Sequence, residues 1–251
     1  MTAPLVTARG WLRRYKPRPD PRLRLVCFPY ASGNATFYRP WAALLPEHVE
    51  LVAVQYPGRL DRIGEPVVQD MAAMVDAIVG LLPGVLDRPV ALFGHSMGAA
   101  VAFEVARCLQ ERYDTRIARL FLSGRPAPAH HRNGVKHLDS DDVLWLELHR
   151  LGGTSPEALA HPELRAAVMP SLRGDYRLIE TYRPAPGGVL ACPITALVGD
   201  RDPELTVAQA RDWRRHTSGG FTLRVFPGDH FYLRPHRDEV IREVVSRLPP
   251  P

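Results

Sequence analysis

The stretch Gly94-His95-Ser96-Met97-Gly98 constrains the fold of this chain more than any other part of the sequence. It follows the apolar run 89–93, typical of a short buried strand, and precedes the run 99–106, typical of a helix. A serine between a strand and a helix, with glycine two positions before and after it, indicates a sharp turn called a nucleophile elbow. The turn strains the serine backbone, and a Cβ atom at either glycine would collide with its neighbours. The pattern therefore predicts an exposed, reactive Ser96 hydroxyl at a helix N-terminus.

Strand-like and helix-like segments alternate along most of the chain, which favours the α/β class, a mostly parallel central sheet flanked by helices. The predicted strands are 23–28, 51–55, 90–93, 117–123, 193–198 and 222–226, and the predicted helices outside the segment described next are 36–45, 71–82, 207–216 and 235–248. The chain has 251 residues, 45% of them hydrophobic, so we expect a single domain over residues 1–251.

The segment 126–187 interrupts this alternation, because it contains no strand pattern and two helical patterns. An N-cap cluster at 139–142 precedes the first helix, which runs to Leu151 and ends at Gly152-Gly153; the second runs from Glu163 to Ile179. A helical insertion after a central strand is well placed to cover a site at the carboxyl ends of the strands. We therefore predict a helical lid at 126–187, with a packing subdomain that has no gating role as the alternative.

A serine nucleophile needs an imidazole that takes its proton and a carboxylate that fixes the imidazole tautomer. In this architecture the chain order is serine, acid, histidine, and the last two lie in loops after late strands. The loops 199–202 and 227–231 fit that description. Among the ten histidines, His230 alone occupies a loop directly after a core strand, so we predict that it is the base. His95, although adjacent to the serine, is predicted to pack against the elbow.

Three aspartates lie in the two loops. Asp202 is two residues into its turn, where a side chain can reach the next loop, and we predict that it is the acid. Asp200 directly follows the strand and is interpreted as a loop residue whose carboxylate accepts backbone N–H groups. Asp229 is too close in sequence to His230 to orient its ring and is interpreted as a turn residue. The predicted catalytic residues are therefore Ser96, Asp202 and His230.

An oxyanion formed during acyl transfer needs two backbone N–H donors, one directly after the nucleophile and one from an early loop. Here these donors are Met97 and a residue of the loop 28–35, whose small side chains allow a close backbone approach. We predict that the N–H groups of Ala31 and Met97 form the oxyanion hole. The alternative is a loop made of small residues only because it turns.

Composition narrows the choice of partner and compartment. The net charge is +5, and nearly all positive residues are arginine, which fits either a solvated surface or an acidic protein partner. No nucleic-acid-binding motif, signal peptide or membrane-span-length apolar stretch is present, so we expect neither a nucleic acid nor a membrane as partner. Cys27, Cys108 and Cys192 lie in or beside apolar runs and are interpreted as buried residues of a reduced compartment rather than metal ligands. We predict a cytoplasmic location.

Six motifs, in order and across nearly the whole chain, give it a family resemblance. It resembles the stand-alone (type II) thioesterases that accompany modular polyketide and nonribosomal peptide synthases, members of the α/β-hydrolase superfamily. The motifs occupy residues 28–33 (before Trp41), 55–59, 94–98, 172–176, 199–202 and 228–232. The motif Gln55-Tyr56-Pro57-Gly58-Arg59 is the most specific, because general esterases share the elbow but lack it. The chain departs from the family at Tyr30, where histidine is usual, and at Ser32, where glycine is usual.

The resemblance implies hydrolysis of aberrant or stalled acyl groups from the phosphopantetheine arm of acyl carrier proteins. It implies no cofactor, because the arm belongs to the carrier-protein substrate. Carrier proteins are generally acidic, which would suit an arginine-rich surface. An acyl chamber under the lid is expected to be lined by Leu144, Leu148, Met169 and Ile179.

Three alternatives remain open at this point. A general carboxylesterase or lipase would use the same three side chains. An acyltransferase or a cyclising thioesterase would differ in the group that attacks the acyl-enzyme. A non-enzymatic carrier-binding protein with a relic site is disfavoured by the intact set of Ser96, Asp202 and His230.

Overall fold

The computed structural model describes residues 6–7, 10–113, 117–152, 161–184 and 187–250. Its strands are β1 (Val6–Thr7), β2 (Leu12–Arg13), β3 (Leu23–Phe28), β4 (Val49–Val54), β5 (Val90–His95), β6 (Ile117–Ser123), β7 (Ile194–Gly199) and β8 (Phe221–Phe226). Its α-helices are α1 (Arg39–Leu44), α2 (Met71–Val79), α3 (Met97–Tyr113), α4 (Asp141–Arg150), α5 (Pro162–Thr181), α6 (Val207–Arg211) and α7 (Arg237–Arg247).

All eight strands form one sheet in the order β1-β2-β4-β3-β5-β6-β7-β8. The six strands from β3 to β8 pair in parallel, whereas β1 and β2 add a short antiparallel edge beside β4. The predicted α/β class with a mostly parallel sheet is confirmed. β1 and β2 were not predicted, because two residues are too few to show a strand periodicity.

Helices cover both faces of the sheet. Strands β3, β4 and β5 are buried at every position, as the continuous apolar runs predict. Along β5, Leu92 packs in a cluster with Met74 of α2 and Val101 of α3. Its neighbour Phe93 packs in a second cluster with Trp41 of α1 and Val240 of α7. Alternate side chains thus face opposite helical layers, which is the three-layer arrangement expected of this class.

Two of the predicted helices are α-helical over only part of their length, and the rest of each is a 3₁₀ helix. The segment predicted as one helix over 36–45 is a 3₁₀ turn, Ala35–Tyr38, followed by α1. Pro40 lies in the first turn of α1 and lacks the N–H that a continuous helix would need. Similarly, the predicted helix 207–216 is α6 continued by a 3₁₀ segment, Asp212–His216.

The chain between β6 and β7 contains α4 and α5, where two helices were predicted. Ser140 caps α4, because its side chain accepts a hydrogen bond from the backbone of Val143, and α5 continues through Pro170. The two helices pack through the cluster Leu144, Trp145, Leu148, Met169 and Leu172. Gly153, expected to help end the first helix, lies outside the described residues. The extent of the domain and the lid role of 126–187 stay predictions.

Candidate active site

The loops that carry the predicted site residues follow four parallel strands. Ala31 comes after β3, Ser96 after β5, Asp202 after β7 and His230 after β8. The carboxyl ends of parallel strands meet at one edge of a sheet, which is where α/β proteins place their ligands. The topology thus brings together residues that are far apart in sequence.

Ser96 occupies the sharp turn between β5 and α3. Its φ of 55° lies in the left-handed region, which costs a non-glycine residue about 1–2 kcal/mol. Gly94 and Gly98 have no room for a side chain, since a Cβ at either would overlap backbone atoms of a neighbouring segment. The Ser96 N–H donates to the carbonyl of Ser123 at 2.8 Å, which ties the elbow to β6. The serine is therefore fixed at the N-terminus of a 17-residue helix.

Asp202 and His230 are hydrogen-bonded across the two late loops. His230 Nδ1 lies 3.0 and 2.9 Å from the two carboxylate oxygens of Asp202. Both side chains are buried, with exposed fractions of 2% for His230 and 0% for Asp202. A carboxylate accepts but cannot donate, so it places the ring proton on Nδ1 and leaves Nε2 as the basic nitrogen. This is the state that a general base requires.

The two other aspartates have local roles, as their positions predict. Asp200 accepts a hydrogen bond from the backbone N–H of Gly228 at 2.8 Å, which joins the loops after β7 and β8. Asp229 accepts from the N–H of Phe231 at 2.8 Å and so stabilises its own turn. Both interpretations are confirmed.

His95 packs beside the elbow, as predicted, and supports His230. Its ring is buried, with its centroid 5.0 Å from that of His230. His95 Nδ1 lies 2.9 Å from the Ser123 hydroxyl, which lies 2.6 Å from the hydroxyl of Tyr232. Burial, reinforced by His230 and Arg234, holds the pKa of His95 well below its usual range, so the ring stays neutral.

Gly124 supports both rings from the end of β6. With a φ of 60°, it adopts a conformation that favours glycine. A Cβ there would lie 2.7 Å from Cε1 of His95 and 3.2 Å from Cε1 of His230. This role was not predicted, although a glycine directly after a predicted central strand was the available signal.

A cavity of about 480 Å³ opens at this edge of the sheet, and all five predicted site residues line it. They are Ser96, Asp202, His230, Ala31 and Met97. The cavity thus brings the predicted nucleophile, base, acid and oxyanion donors to one place.

The chain between β6 and β7 supplies part of the apolar wall of the cavity. Leu148 and Ile179 line it, as expected for an acyl chamber, together with Leu151 and Tyr176. Leu144 and Met169, also expected there, pack instead in the cluster between α4 and α5. Helical periodicity placed all four on apolar faces, but it does not distinguish the face toward the cavity from the face toward the other helix.

Arg125 adds a positive charge to the cavity wall that sequence analysis did not identify. In the described part of the chain its guanidinium donates to His131 Nδ1 at 2.6 Å rather than to a carboxylate. His131 Nε2 in turn donates to the carbonyl of Tyr182 at 3.0 Å. Burial lowers the pKa of His131 to about 4 and that of Arg125 to about 10, so His131 is neutral and Arg125 remains charged at pH 7.

Within the described residues, no group of three or more histidine, cysteine, aspartate or glutamate side chains could hold a metal ion. No helix in the same part of the chain is long and apolar enough to cross a membrane. Cys27, Cys108 and Cys192 are free thiols and buried, as predicted.

The chain was compared with curated proteins and solved structures. It is 45% identical over 244 residues to a probable cadicidin biosynthesis thioesterase of Streptomyces griseus, covering 97% of this chain and 67% of that protein. It is 41% identical to the thioesterase PikA5 of Streptomyces venezuelae, covering 95% and 85% of the two chains. Among solved structures, the type II thioesterase BorB from the borrelidin biosynthetic cluster superposes with a TM-score of 0.89 at 45% identity, covering 95% and 98%.

These relatives confirm the resemblance to type II thioesterases and the α/β-hydrolase fold. They favour a thioester hydrolase over a general carboxylesterase. The sequence model of the thioesterase domain family matches residues 23–248. This range contains strands β3 to β8 and helices α1 to α7. The chain belongs to the thioesterase domain family.

Proposed function

We propose that this enzyme hydrolyses acyl thioesters carried on the phosphopantetheine arm of acyl carrier proteins, with Ser96 as nucleophile. Ser96 attacks the thioester carbonyl while His230 takes its proton, and Asp202 orients His230 and stabilises its charged form. The N–H groups of Ala31 and Met97 stabilise the oxyanion. The observation that carries the proposal is the buried Asp202–His230 hydrogen bond in the cavity that Ser96 also lines.

The leaving group suits this machinery. A thiol has a pKa of about 8.5, so its departure needs less protonation than that of an alkoxide. His230 gives its proton to the departing thiolate and, neutral again, takes a proton from a water molecule that attacks the acyl-Ser96 ester. It then returns this proton to the Ser96 oxygen as the carboxylic acid leaves. The five groups are three side chains and two backbone N–H groups of this chain, so the reaction as proposed needs no cofactor.

The segment 126–187 acts in this proposal as a lid that forms an acyl chamber. Support comes from its contribution to the cavity: Leu148, Leu151, Tyr176 and Ile179 all line the space that contains Ser96. Such a chamber would accept the acyl chain while the arm enters from the surface.

The proposed partner is an acidic carrier-protein domain of a modular synthase, and the biological role is removal of aberrant or stalled acyl groups. The named relatives support the pathway class, since one is a probable cadicidin biosynthesis thioesterase and another is a type II thioesterase from the borrelidin biosynthetic cluster. A net charge of +5 favours an acidic partner. A cytoplasmic location stays a prediction.

The proposal is tested by offering a panel of acyl groups on a purified carrier protein and following deacylation by intact mass. We expect the wild type to release free acids and Ser96→Ala to release none while retaining its thermal unfolding midpoint. Faster hydrolysis of simple oxygen esters would favour a carboxylesterase, and cyclic or transferred products would favour a transferase. If the Ser96→Ala variant fully replaced the wild-type protein in cells, the chain would act by binding the carrier protein rather than by catalysis.

A further inference from the structure

The motif at residues 55–59 is one of the six that carry the family resemblance, yet the proposed reaction uses none of its side chains. In the structure its polar groups bind the backbone of the loop that follows β3. The side-chain oxygen of Gln55 accepts from the N–H of Ala35 at 3.0 Å. The Tyr56 hydroxyl donates to the carbonyl of Pro29 at 3.2 Å. Both ends of the loop are thus attached to this motif.

Arg59 of the same motif forms a buried, two-pronged ion pair with Asp175 of α5. Nη1 lies 2.7 Å from Oδ2, and Nη2 lies 2.9 Å from Oδ1. The exposed fractions of the two side chains are 5% and 0%. Parallel hydrogen bonds between a guanidinium and a carboxylate fix distance and orientation together. The pair therefore joins two segments 116 residues apart in a defined geometry.

The same two side chains also hold the backbone directly after Ala31. Asp175 Oδ2 accepts from the N–H of Ser32 at 2.7 Å. Arg59 Nη1 donates to the carbonyl of Gly33 at 3.0 Å. The peptide group that bears the Ser32 N–H is the one that follows Ala31, the proposed oxyanion donor.

The loop needs this support because Ser32 has a φ of 62°. A non-glycine residue in that region costs about 1–2 kcal/mol, so the isolated loop would favour other conformations. Glycine at this position would avoid the cost, because it has no Cβ. In this chain the hydrogen bond from Ser32 to Asp175 opposes the strain.

Helix α5 comes close enough to deliver Asp175 because the preceding residue is glycine. A Cβ at Gly174 would lie 2.5 Å from Cγ1 of Val67. A Cβ at Gly58 would overlap the other methyl of the same Val67 side chain. Val67 therefore packs between the two motifs. A residue larger than glycine at position 58 or 174 would move the motifs apart and separate Arg59 from Asp175.

We propose that Arg59 and Asp175 are positioning residues that hold the Ala31 N–H where the oxyanion forms. Helix α5 then belongs to the catalytic framework as well as to the wall of the acyl chamber. The inference depends on the proposed function, because it assigns these residues to the oxyanion hole of that reaction.

The test compares Asp175→Asn with a matched control, Glu50→Gln. Glu50 is also a buried carboxylate, 1% exposed, and accepts from Arg24 Nε at 2.8 Å. It lies near the amino ends of the parallel strands, since Arg24 pairs with both Glu50 and Val90 at the start of β3. Both variants lose one buried charge, so both should unfold at a lower temperature.

We expect kcat to fall about 10–100-fold in Asp175→Asn, with KM within about twofold, because a displaced oxyanion donor weakens only transition-state binding. Glu50→Gln should keep kcat within about threefold at a temperature where both are folded. Arg59→Lys, which retains the charge but not the two-pronged geometry, should show an intermediate loss of kcat. Asp175→Asn should also weaken binding of a trifluoromethyl ketone analogue, whose adduct carries the oxyanion, by the same factor as kcat/KM.

Equal kcat values for Asp175→Asn and Glu50→Gln would overturn the inference, as would a loss confined to KM. If Asp175→Asn does not fold, an Arg59→Lys protein with wild-type kcat overturns it instead. Failure of the proposed function is separate, because it would appear as a wild-type protein that hydrolyses no acyl thioester.

Discussion

Replacing Asp202 by asparagine tests the orientation of His230 most directly. Asp202 Oδ1 also accepts from the N–H of Glu204 at 2.9 Å, and an asparagine carbonyl would keep that bond. Its NH₂ group would then face His230 Nδ1 and could only donate. The ring would adopt the other tautomer, with its proton on Nε2, and could no longer accept the proton of Ser96.

The size of the effect follows from the geometry. Both carboxylate oxygens lie within 3.0 Å of Nδ1, and neither side chain can exchange this bond for water because both are buried. Loss of an orienting aspartate in this type of site costs about 10⁴ in kcat, or roughly 5.4 kcal/mol of transition-state stabilisation. We expect a loss of that order for Asp202→Asn.

Asp200→Asn is the matched control from the same loop. Its carboxylate accepts a single bond from the N–H of Gly228, which an asparagine carbonyl would preserve, so kcat should stay within about threefold. Released thiol is measured with an acyl-thioester substrate, and thermal unfolding checks both variants. A loss below tenfold in Asp202→Asn, or an equal loss in the two variants, would refute the assignment of the acid.

Three further predictions concern residues that line the cavity or pack beside it. Gly124→Ala should lower kcat about 10–100-fold, because the new methyl group would displace the His230 ring by a fraction of an ångström; an unchanged kcat would contradict this packing. Arg125→Met should lower the ratio of the hydrolysis rates of succinyl and 4-aminobutyryl thioesters at least about tenfold, since it removes a positive charge from the cavity wall. Competition between the two substrates, followed by mass spectrometry, measures this ratio, and an unchanged ratio would contradict the charge argument. Acid should destabilise the fold, because burial lowers the pKa of His95 in the folded protein and the ring takes up a proton on unfolding. The free energy of unfolding should therefore fall as the pH drops from about 6.5 to 5. Chemical unfolding at both pH values measures this loss, which should shrink in His95→Gln.

The sequence was sufficient for the features that depend on local pattern. Buried parallel strands appear as continuous apolar runs, which placed β3, β5 and β6 within a few residues. Ser96 has its own motif, and His230 was predicted because the chain order of such sites leaves few loops to choose from.

Features that depend on long-range packing were missed. The pairing of Arg59 with Asp175 joins motifs 116 residues apart, and neither motif carries a local sign of the other. Leu144 and Met169 have the apolar spacing of chamber residues but pack between α4 and α5. A helical pattern shows that a face is buried, while the tertiary structure decides what buries it.

In helix α5, the residue that pairs with Arg59 lies next to residues that line the cavity. This arrangement limits how the substrate selectivity of the enzyme can be re-engineered. Asp175 pairs with Arg59, while Tyr176 and Ile179 line the cavity. A chimera that imports the whole helix from a relative would also replace the partner of Arg59 and the close fit of Gly174 against Val67. Exchanging only the side chains at 176 and 179 should change the preference for acyl-chain length. It should leave the Arg59–Asp175 pair and the contact of Gly174 with Val67 unchanged.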